Sequence, residues 1–295
     1  MIKNLIGDIM AKRFNYDKIA LSMLPERPAR SNKGTFGQVA VVGGSVGMSG
    51  AAYFAANAAY RTGCGLVRII SPRENRVIYQ TQLPEAVLSI YDNDAPDERD
   101  IKNAVCRASA IVLGVGLGTS DTAKKLLLYT LEAANCPIVI DADGLNLLAA
   151  DKELLRKLPK NTVVTPHAGE MSRLTGLPIA AVLDDIPSVS ERFAEEYGVI
   201  CVMKDSNTAV SDGERTMVND SGNSGMATGG SGDVLSGIIA SLLAQGTAPF
   251  EAAALGVYIH GLAGDIAANS LSEYSVMASD IIDAIPKVLR SKNAE

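Results

Sequence analysis

GNSGMATGGSGDVLSG, residues 222–237, is the stretch on which the reading of this chain turns. Five glycines fall from Gly222 to Gly232, and the run passes directly into the apolar segment Val234–Leu243. Glycine loses more conformational freedom on folding than any other residue, so a run this dense is costly as a mere connector. At the start of a helix it has a use. The N–H groups of Gly230, Ser231 and Gly232 would point along the positive end of the helix dipole and form an anion hole. Asp233 beside that hole cannot serve to bind phosphate, because like charges repel. It fits a base that takes a proton from a hydroxyl attacking phosphorus, the alternative being a simple N-terminal charge.

Around this stretch, short β-branched runs alternate with longer Ala- and Leu-rich segments. That is the pattern of strands joined by crossover helices around a mainly parallel sheet. Strands are expected at Gln38–Val42, Leu66–Ile70, Ala110–Leu113, Pro137–Ile140, Thr162–Thr165, Val199–Met203 and Thr208–Ser211, with a hairpin strand at Arg215–Val218. Helices are expected at Ser49–Thr62, Asp121–Ala134, Asp151–Leu158, Ile186–Tyr197, Asp233–Gln245, Phe250–Ala268 and Ala278–Arg290. The expected fold is α/β in three layers, a wide sheet of seven or eight strands with helices on both faces. No linker, charge run or repeat divides residues 1–295, which predicts a single domain with residues 1–30 as an N-terminal extension.

Composition bounds the partners. A chain of 295 residues, 47% hydrophobic and 20% charged, can build a full core and lies far from the composition of disorder. The net charge of −6 argues against a nucleic-acid or anionic-membrane surface, which needs clustered Lys and Arg. No run of about 18 apolar residues and no signal-type N-terminus occurs, so the expected compartment is the cytoplasm. Cys64, Cys106, Cys136 and Cys201 follow no CxxC spacing and are expected to be buried thiols.

In open parallel sheets, ligands bind outside the carboxyl ends of the strands. Four further strand-end loops lie there. The loop at 43–52, GGSVGMSGAA, lacks both the GxGxxG spacing and the GK[ST] ending, and reads as a tight turn admitting a ligand or simply as helix–sheet packing. The loop at 114–120, GVGLGTS, could present N–H groups to an anion. Asp141 and Asp143 in DADGLN, 141–146, suit a metal or a developing positive charge, or else helix capping. TPHAGE, 165–170, sets His167 beside Glu170 at a strand end, which favours a functional histidine over one that fills the core or caps a helix. His260, inside a helix, reads as structural.

Together, KGTFGQ (33–38), GMSGAA (47–52), GVGLG (114–118), DADGLN, TPHAGE and the glycine run resemble the NAD(P)H-hydrate dehydratases of the ribokinase-like superfamily. The resemblance implies a reaction in which ADP, or ATP in eukaryotic members, drives dehydration of the S form of NADHX or NADPHX. The 6-hydroxyl is phosphorylated with Asp233 as base, and phosphate then leaves as the ring nitrogen restores the dihydropyridine. By position, Ala51 or Ala52, Gly116, His167 and Asp233 are implied at the hydrated cofactor. Lys204, Asp205, Ser206, Asn207, Thr208 and Gly232 are implied at the nucleotide. Related kinases hold magnesium with an Asn-x-x-Glu motif. Glu170, three residues after His167, is therefore assigned to Mg2+, with Asp141 as a second candidate.

Two departures stand out. Asp205 replaces the usual glycine and brings a carboxylate near phosphate, which lowers affinity unless it turns outward or meets magnesium. Ser231 replaces the usual threonine. Residues 1–32 are too few for the epimerase domain found at the N-terminus of many members, so the epimerase is expected as a separate chain. The resemblance suggests a homotetramer, for which the apolar segment Phe250–Ala268 could supply an interface or merely fill the core. The rival readings are a small-molecule kinase of the hydroxyethylthiazole or hydroxymethylpyrimidine type, and a non-catalytic nucleotide-binding protein.

Overall fold

In the computed structural model, which describes residues 12–290, ten strands join in one sheet. In chain order they are β1 (Lys12–Phe14), β2 (Gln38–Val42), β3 (Leu66–Pro72), β4 (Val87–Tyr91), β5 (Ala110–Leu113), β6 (Ile138–Ile140), β7 (Val163–Val164), β8 (Ile200–Met203), β9 (Ala209–Ser211) and β10 (Arg215–Val218). They lie side by side as β1-β10-β9-β8-β7-β6-β5-β2-β3-β4. Every pairing is parallel except the two made by β9. The reversal is forced by chain length. Residues 204–208 and 212–214 are tight turns, and a parallel return needs a crossover of a dozen residues or more.

Twelve helices are described: α1 (Ser49–Thr62), α2 (Arg76–Gln82), α3 (Glu98–Val105), α4 (Asp121–Ala133), α5 (Asp143–Ala150), α6 (Lys152–Arg156), α7 (Ala168–Thr175), α8 (Ile179–Asp184), α9 (Ile186–Tyr197), α10 (Ser231–Ala244), α11 (Pro249–Ser270) and α12 (Ala278–Arg290). Successive strand side chains point to opposite faces, and the core divides accordingly. Val39, Val41, Val67, Ile69, Val112 and Val202 pack under α1, α10, α11 and α12. Ala40, Val42, Ile70, Leu113, Ile140 and Met203 pack under α3, α4, α5, α7 and α9. This is the three-layer α/β arrangement the sequence predicts.

Glycine sets the tightest approach between layers. A Cβ on Gly237 of α10 would lie 2.1 Å from the Ala55 carbonyl oxygen of α1, so only hydrogen fits. A Cβ on Gly37 of KGTFGQ would lie 2.1 Å from the Ala244 carbonyl oxygen, and one on Gly65 would lie 1.7 Å from that of Lys33, which makes the motif a packing element.

The differences from expectation are local. All eight expected strands are present, and β1 and β4 flank them at the two edges. β1 is three residues paired with β10 some 200 positions away, and nothing local marks it. α5 and α7 begin inside the polar loops DADGLN and TPHAGE, whose glycines conceal helix starts. α11 is buried along most of its length, from Phe250 to Ala267, so its apolar surface is used within the chain and is not free for a partner. Among the cysteines, Cys64 and Cys201 are buried, Cys136 is half-buried and Cys106 is exposed at the end of α3, against the expectation of four buried thiols.

Candidate active site

The carboxyl ends of β6, β7 and β8 bring three charged groups together. Asp141 follows β6, Glu170 stands in the first turn of α7 just after β7, and Lys204 follows β8. Lys204 Nζ donates to Asp141 Oδ1 at 2.7 Å and lies 4.0 Å from Glu170 Oε2. Burial works against the ammonium, but Asp141 and Glu170 more than offset it and hold the Lys204 pKa above its ordinary value. Burial pushes the Glu170 carboxyl up, with Lys204 opposing. Asp141 is further fixed by Ser236 of α10, whose hydroxyl donates to Oδ2 at 2.8 Å, and by the Ala142 N–H at 2.9 Å. Ala142 holds φ at 49°, a left-handed conformation that costs a non-glycine residue roughly 1–3 kcal/mol and is typical of functional turns.

The N-terminus of α10 closes the site. Gly230, at φ 91°, caps the helix, and a Cβ there would meet the Phe54 ring at 2.6 Å. Ser231 is buried, with its hydroxyl 3.3 Å from His260 Nε2 on α11. Burial lowers the His260 pKa to about 4, so at neutral pH it is an uncharged support for the first turn. Gly232 approaches Lys204 closely; a Cβ would come within 3.3 Å of Nζ. The first turn of α10 and the ammonium thus lie side by side, with the Ser231 N–H donating to the Thr228 carbonyl at 3.3 Å.

Asp233 sits half-buried in that same turn. Its pKa is raised from 3.8 to about 7, first by burial and then by Asp141 and Asp143, with Lys204 pulling the other way. No hydrogen bond from a described residue stabilises its charge. A carboxylate with unclaimed oxygens and a pKa near the working pH is what a general base requires.

His167 takes the structural part that the sequence reading set against a functional one. It is the N-cap of α7: Nδ1 accepts from the Gly169 N–H at 2.9 Å, and Glu170 Oε2 accepts from the His167 N–H at 2.8 Å. The His-x-x-Glu spacing is therefore a capping box with histidine in the place of Ser or Thr. With Nδ1 accepting, the proton of the neutral ring is on Nε2, and the exposed edge can still meet a ligand. Burial, Lys204 and Arg173 all lower its pKa.

The remaining expected residues fall in two places. Ala51, half-exposed on α1, lies against Gly116, while Ala52 is wholly buried. Of the two, Ala51 alone retains surface for a contact. Gly116, at φ 55°, is itself covered by Met48 and Ala51, and its carbonyl accepts from the Ser45 N–H at 2.6 Å. Lys204 to Thr208 form the β8–β9 turn, pinned where the Thr208 hydroxyl donates to the Asp205 carbonyl at 3.1 Å. Asp205, Ser206 and Asn207 are exposed. Asp205 is exposed and makes no ion pair with a described residue.

For magnesium, the donor chemistry decides. Both oxygens of Asp141 are engaged, Glu170 Oε2 is taken by the backbone, and no cluster of three metal-type side chains exists among the described residues. Such a set suits an ion carried on nucleotide phosphates and reached through water. Asp141 acts as the counter-ion of Lys204.

Several supports escaped the sequence reading. Asp143 accepts from the Gly118 N–H at 2.8 Å, Asp265 from the Gly222 N–H at 3.1 Å and Asn223 at 3.0 Å, and Asn75 and Ser71 both hold the Gly44 carbonyl. Asp143 was marked only as a strand-end carboxylate, and Ser236 left a trace as a polar residue within an apolar helix three positions after Asp233.

The family model described as NAD(P)H-hydrate dehydratase matches residues 39–287. The ADP-dependent (S)-NAD(P)H-hydrate dehydratase of Neisseria meningitidis is 42% identical over 83% of this chain and 81% of its own. The bifunctional NAD(P)H-hydrate repair enzyme of Moorella thermoacetica is 39% identical over 93% of the chain, which spans about half, 53%, of that relative's length. In three dimensions the chain superposes on the ADP/ATP-dependent NAD(P)H-hydrate dehydratase of Bacillus subtilis, co-crystallized with ATP and Mg2+. That match has a TM-score of 0.83 and 26% identity over 96% of this chain and 99% of the other.

Proposed function

The chain belongs to the NAD(P)H-hydrate dehydratase family, and from that premise we propose that it repairs (6S)-NADHX and (6S)-NADPHX to NADH and NADPH at the expense of ADP or ATP. The observation that carries the reading is Asp233, unbonded and raised toward neutrality, beside a helix N-terminus that faces Lys204.

The terminal phosphoryl group rests on the N–H groups of 230–232, with Lys204 balancing its charge. Asp233 takes the proton of the 6-hydroxyl as that oxygen bonds phosphorus, and AMP leaves when ADP is the donor. The ring nitrogen's electron pair then expels phosphate from the same carbon, and loss of a proton from the neighbouring ring carbon forms the double bond. Phosphate is a far better leaving group than hydroxide, which is what the nucleotide contributes. Ala51 and the exposed edge of His167 flank the hydrated ring. Residues 204–208 take the nucleotide.

The residues present fit Mg2+ through Glu170 and water. Bound with the phosphates, the ion would neutralise charge on the transferred group. ADP is the expected donor, since the Neisseria relative is named ADP-dependent. A soluble homotetramer in the cytoplasm completes the proposal. No helix among the described residues is long and apolar enough to cross a membrane.

The test is the return of reduced-nicotinamide absorbance when protein, Mg2+ and ADP, or separately ATP, are added to S-NADHX. A nucleotide-dependent rise that Asp233→Asn abolishes is the expected result. No rise with either nucleotide, together with a stable phosphorylated product on another hydroxyl substrate, would make it a small-molecule kinase.

A further inference from the structure

At the β4 edge of the sheet, α3 leans on β3 and β4 and leaves a cavity of about 510 Å³. That is the size of a small-ligand site. Tyr91, Ile101 and Ala104 supply apolar wall, and Arg68, Arg73 and Arg107 line the same space. It is separate from the active site, which is built on β5 to β8 and α10.

Arg68 is the unusual member. One terminal nitrogen donates to Ser89 Oγ at 2.8 Å, but Nε is buried and has no hydrogen-bond partner. Among the described residues it is the one charged side chain in that condition. A guanidinium cannot shed its proton to escape burial. An unmet donor of this kind is costly, and more so when charged. Its surroundings make matters worse: burial and repulsion from Arg107 both work against its charge, and no carboxylate offsets them.

Arg73 and Arg107 are exposed, and among the described residues neither makes an ion pair or hydrogen bond. Three carboxylates, Asp92, Asp97 and Asp100, line the same cavity, and one oxygen of Asp92 and one of Asp97 are engaged by backbone N–H groups. Asp92 accepts from the Asp94 N–H at 3.2 Å, and Asp97 caps α3 through the Asp100 N–H at 2.9 Å. Asp100 also borders the cavity, in the first turn of α3.

We propose that this cavity binds a small phosphate ester, its phosphate held by Arg68, Arg73 and Arg107 and its body against Ile101 and Ala104. Planar guanidinium forks match phosphate oxygens, and a phosphate in the cavity would screen the repulsion between Arg68 and Arg107. A recess of this volume suits a small molecule better than a protein or membrane surface.

Nitrogen-15 NMR of the full chain separates the two anion sites in one titration. Inorganic phosphate should shift the Arg68 Nε–H signal, assigned by its loss in Arg68→Lys, in a saturable way. Arg107→Gln, a change at an exposed residue, should weaken that response about tenfold, the worth of one charge-assisted hydrogen bond, and leave the amides of 230–232 responding as before. Glycerol phosphate should bind more tightly than inorganic phosphate, because its body meets the apolar wall. If Arg68 Nε–H stays unmoved while the amides of 230–232 shift, or if Arg107→Gln leaves its titration unchanged, the site does not exist. Equal affinity for the two probes overturns the ester.

Discussion

Asp233 is a residue the fold holds at a cost. Its folded pKa of about 7 lies above the unfolded 3.8, so between those values the folded chain binds a proton that the unfolded chain does not. Stability therefore falls as pH rises through that window, and above it the penalty is fully present. Asp233→Asn removes the buried charge, so above neutral pH thermal unfolding should show the variant stabilised, by on the order of 1–3 kcal/mol. The same change should lower turnover by about 10²–10⁴-fold, the worth of a general base. In the wild type, kcat/KM should fall on the acid side with an apparent pKa near 7, because only the deprotonated base works. A variant that loses both stability and activity would assign Asp233 a structural role.

Among the elements, α10 links packing to chemistry. Its first turn carries Asp233 and the N–H groups proposed as the anion hole, its second anchors Asp141 through Ser236, and Gly237 seats it against α1. Gly237→Ala brings a Cβ to 2.1 Å from the Ala55 carbonyl oxygen, so the two helices must part. Overpacking of this kind costs typically about 1–3 kcal/mol. Since the shift moves the whole helix, activity should fall although the substitution lies a full turn beyond the site. A melt and a rate measured on the same preparation check it; an unchanged rate beside a lowered melting temperature would show that the first turn is held independently, by His260 and Lys204. The loop ahead of α10 has its own anchor in Asp265, and the Gly44 turn is held by Asn75 and Ser71.

On the scale of the whole molecule, a nucleotide would bridge the β8–β9 turn to α10 and so tie together both sides of the cleft. At a concentration of 100 times Kd, MgADP should stabilise the chain by about 2.7 kcal/mol. Asp233→Asn should keep this gain. Lys204→Met should lose most of it, measured against its own ligand-free melt. A full gain in Lys204→Met would move the phosphates away from the ammonium.

Much of this organisation was written locally. Alternation of β-branched and Ala/Leu-rich runs determined the three-layer α/β fold, because strand and crossover periodicities are properties of short segments. The glycine run before an apolar helix likewise marked the N-terminus of α10 and placed Asp233 in its first turn, since backbone freedom and helix dipole act within one turn. What tertiary structure alone decided were matters of approach between distant segments: the edge strand β1, paired far along the chain; Lys204 reaching Asp141 across β7; the burial that raises Asp233; and the burial of Ala52 beside a partly exposed Ala51. Burial and charge proximity belong to no single segment, so no local pattern could declare them.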